Sequence, residues 1–457
     1  MQQILTKIKN IKQESISKAA LSVLVLTQLL GNLFFFLSFR VGIVFSLQRI
    51  CILLLGALCV FMLIKKRVLL KSIAKYTGFA LCFFAFWIAY GLIGLIFVHS
   101  RIEGLKQLVD LLQCGLVLLA LAVFMRTETD LKLVIRLLKL CAAVIFIIFA
   151  VQLVTQGYFS FSRYNSNYID YVIERDMLLA PTTVFYNEND MCAILILINV
   201  FFVFDMIRES RGFKVFYNCL GSIICFFIIA TSDSQLAEAA VIFTLIFALV
   251  FLIMRKREAQ KISLASSELV LAVILFELMG QKAGEVLANL KYSFMSISIG
   301  GRGRTLLSTA QLVPLSSAAD TAQAIAHSSQ DSRLNLTKEG FGMLWRSFFL
   351  GVGANHYQYN IKHPEKVNNL INPHNLWIEV LSQYGVLVFV PFAFLYFRAA
   401  YKNLKAAFKK GGGELQFAMA ALSVVFIFSS ILPSSSISLY PIWIFFGMVL
   451  VYGERQA

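Results

Sequence analysis

Charge is scarce in this chain: Asp, Glu, Lys and Arg make up 14% of its 457 residues, against 59% hydrophobic. That is too few charges to cover the apolar surface of a soluble protein of this size. Alternating segments of about ten residues, the mark of a membrane β-barrel, are missing. The eight cysteines (51, 59, 82, 114, 141, 192, 219 and 225) fall within or against apolar runs, and none lies between 281 and 373. Neither a disulfide framework nor a thiolate metal site is therefore indicated, and they read as small core residues. There is no P-loop, and "GVGANH" at 351–356 follows no strand and lacks the third glycine of a dinucleotide fingerprint. No His-x-x-x-His pair is present, and Asp320, Asp331, Glu339 and Glu365 are scattered. Metal-independent chemistry without a cofactor is expected. No cleavage site follows the basic start "MQQILTKIKNIKQESISK", which predicts an uncleaved first helix.

What the chain has instead is a succession of apolar runs of about 20 residues, the length that crosses a hydrocarbon core of ~30 Å. They predict an all-α, polytopic integral membrane protein. About twelve transmembrane helices are expected, near 19–38, 42–64, 77–98, 107–125, 134–155, 189–207, 214–231, 235–254, 265–280, 374–396, 415–432 and 434–452. Charge sets the orientation. With the N-terminus in the cytoplasm, inner segments hold 26 Lys and Arg, short outer loops hold five, Arg49 sits within a span, and nine fall in one long outer loop. The positive-inside rule then predicts both termini on the cytoplasmic side. The net charge of +16 is a topology signal, and no nucleic-acid partner is expected.

Most connections are short, and two are not. Residues 156–188 form an aromatic outer loop containing "GYFSFSRYNSNYIDY". Residues 281–373 form a large extracytoplasmic loop between spans 9 and 10, rich in basic residues and histidine. The chain thus divides into 1–280 (spans 1–9), 281–373 (the loop) and 374–457 (spans 10–12). Long loops in compact proteins are functional or disordered, and the small, polar stretch 314–332 reads as a mobile part of this one. Residues 334–349 mix apolar and charged positions as a surface-lying helix does, and "GVGANHY" supplies glycines for a tight turn. At "NPHNLWIEVLSQYG", residues 372–385, Asn372 reads as a helix cap and Pro373 as the first helical position. His374 and Asn375 then occupy the first turn, where free N–H groups and the positive dipole end make a seat for an anion and favour a neutral imidazole. Glu379 lies one turn deeper on the face of Asn375. A well-capped helix start alone explains the same residues, but four of the five histidines (327, 356, 363 and 374) fall in or at the end of the loop that also holds nine basic residues.

The stretch "DSRLNLTKEGFGMLWRSFFLGVGANHYQYN", followed after a short gap by "NPHNLWIEVLSQYGVLVFVPF", resembles the core of the O-antigen ligase and Wzy-type O-antigen polymerase superfamily. The likeness spans about 331–392: an Arg-led amphipathic segment, a Gly-x-Gly turn, and His-Asn opening a helix that runs on to a Gln or Glu and a Gly. Weaker echoes are "FYNENDMCA" at 185–193 and "TSDSQLAEAA" at 231–240, where Gln235 stands at a position at which the family often carries arginine. The resemblance implies glycosyl transfer at the outer face of a bacterial cytoplasmic membrane, from a glycan on undecaprenyl pyrophosphate. A polymerase passes the chain to the next lipid-linked repeat, and a ligase passes it to a lipid or wall acceptor. A flippase and a chain-length regulator of the same pathway are the implied protein partners. A lipid-linked sugar flippase or other transporter is the reading from a different class.

A pyrophosphate leaving group gathers negative charge, so fixed cations lower the barrier. Arg333 matches the family's loop arginine, and Arg346 follows it. Arg302 and Arg304 in "GGRGR" have glycine freedom to wrap phosphate, or form a flexible basic loop. His374 is the candidate base for the acceptor hydroxyl, or a group that orients the donor by hydrogen bonding. Asn375 and Glu379 read as support, through bonds to sugar or to His374 and by anchoring the helix. His356, Arg163 and Arg175 are further substrate-binding candidates, against ordinary exposed loop positions. Trp377 and the tyrosines at 158, 164, 168 and 171 suit sugar stacking or an interfacial aromatic belt.

Overall fold

The computed structural model describes residues 2–37, 39–41, 43–65, 67–155, 157–162, 181–232, 234–255, 259–298, 315–367, 370–409 and 411–455. Among the described residues, the regular elements are helices apart from a short antiparallel hairpin of β1 (Phe39–Val41) and β2 (Ile43–Phe45). The helices are α1 (Gln2–Leu30), α2 (Leu47–Lys65), α3 (Arg67–Tyr76), α4 (Gly78–Gly94), α5 (Arg101–Phe124), α6 (Glu128–Thr155), α7 (Glu188–Arg208), α8 (Gly212–Thr231), α9 (Gln235–Met254), α10 (Ala259–Ser298), α11 (Leu315–Arg346), α12 (Leu376–Phe408), α13 (Glu414–Ser429) and α14 (Ile442–Arg455). Among the described residues, eight helices are long and apolar enough to cross a membrane, or nine if the bent pair Leu69–Tyr76 and Gly78–Gly94 counts as one span. This is a polytopic helical membrane protein.

Helix α7 is apolar on every side, and such a helix is stable only when surrounded. Every residue from Met191 to Phe204 is buried, between α6, α8, α9 and α13. By contrast α2 keeps Leu54, Phe61 and Ile64 exposed, as an outer helix facing hydrocarbon does.

Several expected boundaries moved. Leu315–Arg346 is one helix, so the polar stretch 314–332 is helical almost throughout. The last expected span, 434–452, is helical only from Ile442. Residues 430–441 run as turns and irregular backbone, because Ser434, Ser435, Ser436, Ser438 and Tyr440 find partners elsewhere. Most of the aromatic loop, 163–180, lies outside the described residues, as do Arg302 and Arg304.

Helix α12 is interrupted at Gly385, where φ is 69° and ψ −174°. The break frees backbone groups that must be satisfied inside a membrane protein, and the Gly-Val-Gly turn supplies them. The Val352 N–H donates to Ser382 O at 2.9 Å, Gly353 N–H to Gln383 O at 2.9 Å, and Val386 N–H to Phe349 O at 3.0 Å. Gly351 and Gly353 have φ of 87° and 97°, and a Cβ on Gly351 would stand 2.5 Å from Gln383 O. The glycines of "GVG" and "QYG" are thus two halves of one backbone splice. Gly351→Ala and Gly385→Ala each combine a left-handed φ with a clash against backbone, so each should destabilise by roughly 3 kcal/mol or more. Gly94→Ala, with nothing within 4 Å of its added Cβ, should leave the thermal midpoint of the detergent-solubilised protein unchanged or slightly raised.

Candidate active site

The N-terminus of α12 differs from its expected form. Asn375, not Asn372, is the cap. Its Oδ1 accepts from Trp377 N at 2.9 Å and Ile378 N at 3.3 Å. Leu376 N–H donates to Ser430 O at 2.8 Å, and Glu379 N–H to Asn375 O at 2.8 Å. The first-turn donors are therefore engaged within the protein, and this helix end is not the open anion seat expected from the sequence. His374 lies just before the helix. Its φ of 50° is a conformation that His tolerates better than most residues, at a cost of roughly 1–2 kcal/mol. Its N–H donates to Ser434 O at 3.2 Å, and its side chain is half-buried.

The Ser434–Tyr440 segment supports His374 and is itself held from within the bundle by two carboxylates. Glu379, 1% exposed, accepts from Ser435 Oγ at 2.5 Å and Ser436 N at 3.0 Å. Asp110 of α5 accepts from Ser438 Oγ at 3.0 Å and Tyr440 OH at 2.6 Å. Arg49 of α2 neutralises Asp110 at 2.8 Å and also donates to Tyr440 OH at 2.7 Å. The charge in span 2 thus has its partner in α5. Glu379 thereby holds the Ser434–Tyr440 segment to the first turns of α12.

Arg333 stands on α11, within electrostatic reach of Glu188 at the start of α7. Burial lowers its pKa from the ordinary arginine value, and Glu188 opposes that shift. A guanidinium remains cationic under such conditions. Glu188 opens α7 directly after its cap, Asn187. The Asn187 side chain accepts from Asp190 N at 2.8 Å and donates to Ser434 Oγ at 3.3 Å. Asn187, Ser434 and His374 are thus joined although distant in sequence, and Arg333 is linked to them through the charge of Glu188.

Other candidates separate from this group. Arg346 lies thirteen residues further along α11, about 20 Å. It donates to Asn360 O at 2.9 Å, sits 3.6 Å from Glu339 and lines a cavity of about 480 Å³ beside Tyr90, Phe97, Gln383 and Tyr384. His356 is 1% exposed. Its Nε2 accepts from Ser100 N at 2.9 Å, which leaves Nδ1–H to donate to Ala354 O at 2.6 Å. It is a pin between loops rather than an exposed position. Trp377 packs on Phe392, Tyr396 and Phe397, and its indole N–H donates to Ser430 Oγ at 2.9 Å. Arg163, Arg175, Arg302 and Arg304 lie outside the described residues.

Sequence reading had passed over Asp110 and the Ser434–Tyr440 segment, and gave "FYNENDMCA" only the weight of an echo. The available signal was one of opposite signs: an Asp within the apolar run of α5 and an Arg within that of α2. Unpaired, either would be costly in a membrane.

The model of the family described as O-antigen ligase matches residues 220–393, a range that includes both Arg333 and His374. The chain is also 24% identical to the teichuronic acid biosynthesis protein TuaE of Bacillus subtilis (strain 168), over 96% of this chain and 84% of that protein. Together these findings support the O-antigen ligase and polymerase superfamily for this chain, and a polysaccharide polymerase or ligase function at the membrane.

The identity of the cap is testable. Asn375→Ala should lower stability by about 1 kcal/mol while Asn375→Asp retains it, and Asn372→Ala should fall within about 0.5 kcal/mol of wild type, each read from thermal unfolding.

Proposed function

We propose that this protein is a glycosyltransferase that polymerises undecaprenyl-pyrophosphate-linked oligosaccharide repeats at the outer face of the cytoplasmic membrane. The observation that carries the reading is the chain of hydrogen bonds from His374 through Ser434 to Asn187, with Arg333 acting electrostatically on the adjoining Glu188. In the reaction, a hydroxyl of one lipid-linked repeat attacks the anomeric carbon of the other glycan. The bond from that carbon to the pyrophosphate oxygen breaks, and the electron pair leaves with the lipid pyrophosphate. His374 accepts the hydroxyl proton, and Arg333 faces the growing negative charge. Since the first N–H groups of α12 are engaged, side-chain cations rather than this helix end must answer the phosphate charge. The half-buried setting of Arg333 strengthens its effect, because less water screens it.

A ligase would use the same two residues and differ in its acceptor. The relative named for teichuronic acid biosynthesis favours polymer formation. The test is turnover of lipid-linked repeats by purified protein, with product read as a glycan ladder and released lipid pyrophosphate.

His374→Asn is the informative variant, because Asn tolerates the left-handed backbone but is no base. It should lose about two to four orders of magnitude in rate. Arg333→Ala should lose about two to three, and Arg333→Lys less. Single transfers to a different acceptor in place of a ladder would turn the assignment to ligase. Movement of intact lipid-linked sugar between leaflets without turnover would replace the enzyme by a flippase.

A further inference from the structure

Helix α11 buries one side and exposes another that is also largely apolar. On the inner side Leu336, Gly340 and Met343 are buried, and Leu336 and Met343 cluster with Tyr357, Val367 and Ile378. On the outer side Leu334, Lys338, Phe341 and Trp345 recur at helical spacing, all of them exposed. Phe348, Phe349 and Leu350 follow directly and are exposed too. Trp345 is 73% exposed and Phe348 85%. Contiguous apolar surface of this kind marks an interaction face.

The neighbours of this face indicate what covers it. The end of α11 descends beside the first turns of α12: a Cβ on Gly340 would meet Ile378 Cγ2 and Ser382 Cβ, and further along the Val386 N–H donates to Phe349 O at 3.0 Å. Past that bond, Leu387, Val390, Phe394, Phe397 and Tyr401 of α12 are exposed at helical spacing, the lipid-facing stripe of a membrane span. Lys402, Lys405 and Lys409 close its far end. Counted from Tyr401, a ~30 Å hydrocarbon core takes about 20 residues of helix and reaches about Leu381. Yet every residue of α12 from Ile378 to Gly385 is buried. Beside that last stretch stand the exposed Trp345, Phe348, Phe349 and Leu350. On their other flank Tyr90 of α4 donates to Leu350 O at 2.7 Å, and Ile93, Ile96 and Phe97 are exposed as well.

We propose that the exposed end of α11 is seated in the bilayer leaflet on the side of the candidate site, with lipid as its occupant. Phe348, Phe349 and Leu350 continue the apolar surface of α12 and meet acyl chains. Trp345 falls at the hydrocarbon boundary, where an indole places its ring in the apolar region and its N–H toward water. Lys338, seven residues before Trp345, stands about 10 Å further out, and its long stem and ammonium suit contact with lipid phosphates. A helix with apolar residues below and a basic residue above is the pattern of an interfacial anchor. Seating α11 in this way fixes the height of Arg333, which lies a further turn and a half out, relative to the membrane surface. Lipid contact of this face does not depend on the glycosyl-transfer reading.

The experiment uses the full chain in phosphatidylcholine vesicles, with and without bromine on the acyl chains, since bromine quenches indole emission on contact. Of the four tryptophans, Trp87 and Trp443 are buried and Trp377 is packed among aromatic rings. The emission lost on Trp345→Phe, a change that keeps the apolar ring, therefore reports residue 345. Brominated lipid should quench most of that emission, and aqueous iodide little of it. Adding Phe341→Trp to the Trp345→Phe variant moves the reporter one turn outward, and mid-chain bromine should quench it less than it quenches Trp345. Quenching of Trp345 by iodide but not by brominated lipid would overturn the proposal and leave α11 facing water. Protection from both quenchers would also overturn it and assign the face to a second copy of this chain. Stronger mid-chain quenching at residue 341 than at 345 would reverse the order of depth and overturn it as well.

Discussion

The buried carboxylate of Glu379 is the contact on which the candidate site rests. It lies one turn inside α12, with its oxygens accepting from Ser435 Oγ and Ser436 N. A membrane interior makes such a group costly unless its lone pairs are met, so the donors are fixed as firmly as the acid. Asp110 acts in the same way on Ser438 and Tyr440, with Arg49 as its counter-charge. A non-helical stretch is thereby held in one shape inside the bundle. It then presents the Ser434 carbonyl to His374 and the Ser434 hydroxyl to Asn187.

This arrangement separates structural from chemical roles within one motif. Asn375, Glu379 and Trp377 are engaged in capping, anchoring and packing. His374, one residue before the cap and in a left-handed conformation, stands outside that set. Arg333 arrives on a different element, α11. The splice between the Gly-Val-Gly turn and Gly385 links the two elements, since it joins the end of α11 to the broken α12 by backbone hydrogen bonds. The glycine spacing matters because the two backbones approach more closely than any Cβ permits.

Buried polar groups in the bundle meet the same electrostatic problem with different answers in different places. Around the Ser434–Tyr440 segment each buried carboxylate is met by hydroxyls, N–H groups or arginine. At Glu268 the buried carboxyl is faced by neutral groups, the Cys219 thiol and the Ser222 hydroxyl, with Asn199 beyond Ser222. The first surrounds the candidate site, and the second brings together side chains from α7, α8 and α10.

The hydrophobic total and the recurrence of long apolar runs determined by themselves that the chain is a helical membrane protein, because span length follows from bilayer thickness. The pattern over 331–392 likewise carried the resemblance to the O-antigen ligase and polymerase superfamily, and its glycines marked the close backbone approach between the Gly-Val-Gly turn and Gly385. Which asparagine caps α12 was decided by tertiary structure, because Ser430 and Ser434 take the N–H groups of Leu376 and His374. So was the irregular backbone at 430–441, which composition alone makes look like part of a span. Pairing is the physical reason for the difference. A single residue's polarity can be read along the chain, but whether Asp110, Glu379 or Glu268 has a partner depends on helices brought together from far apart in sequence.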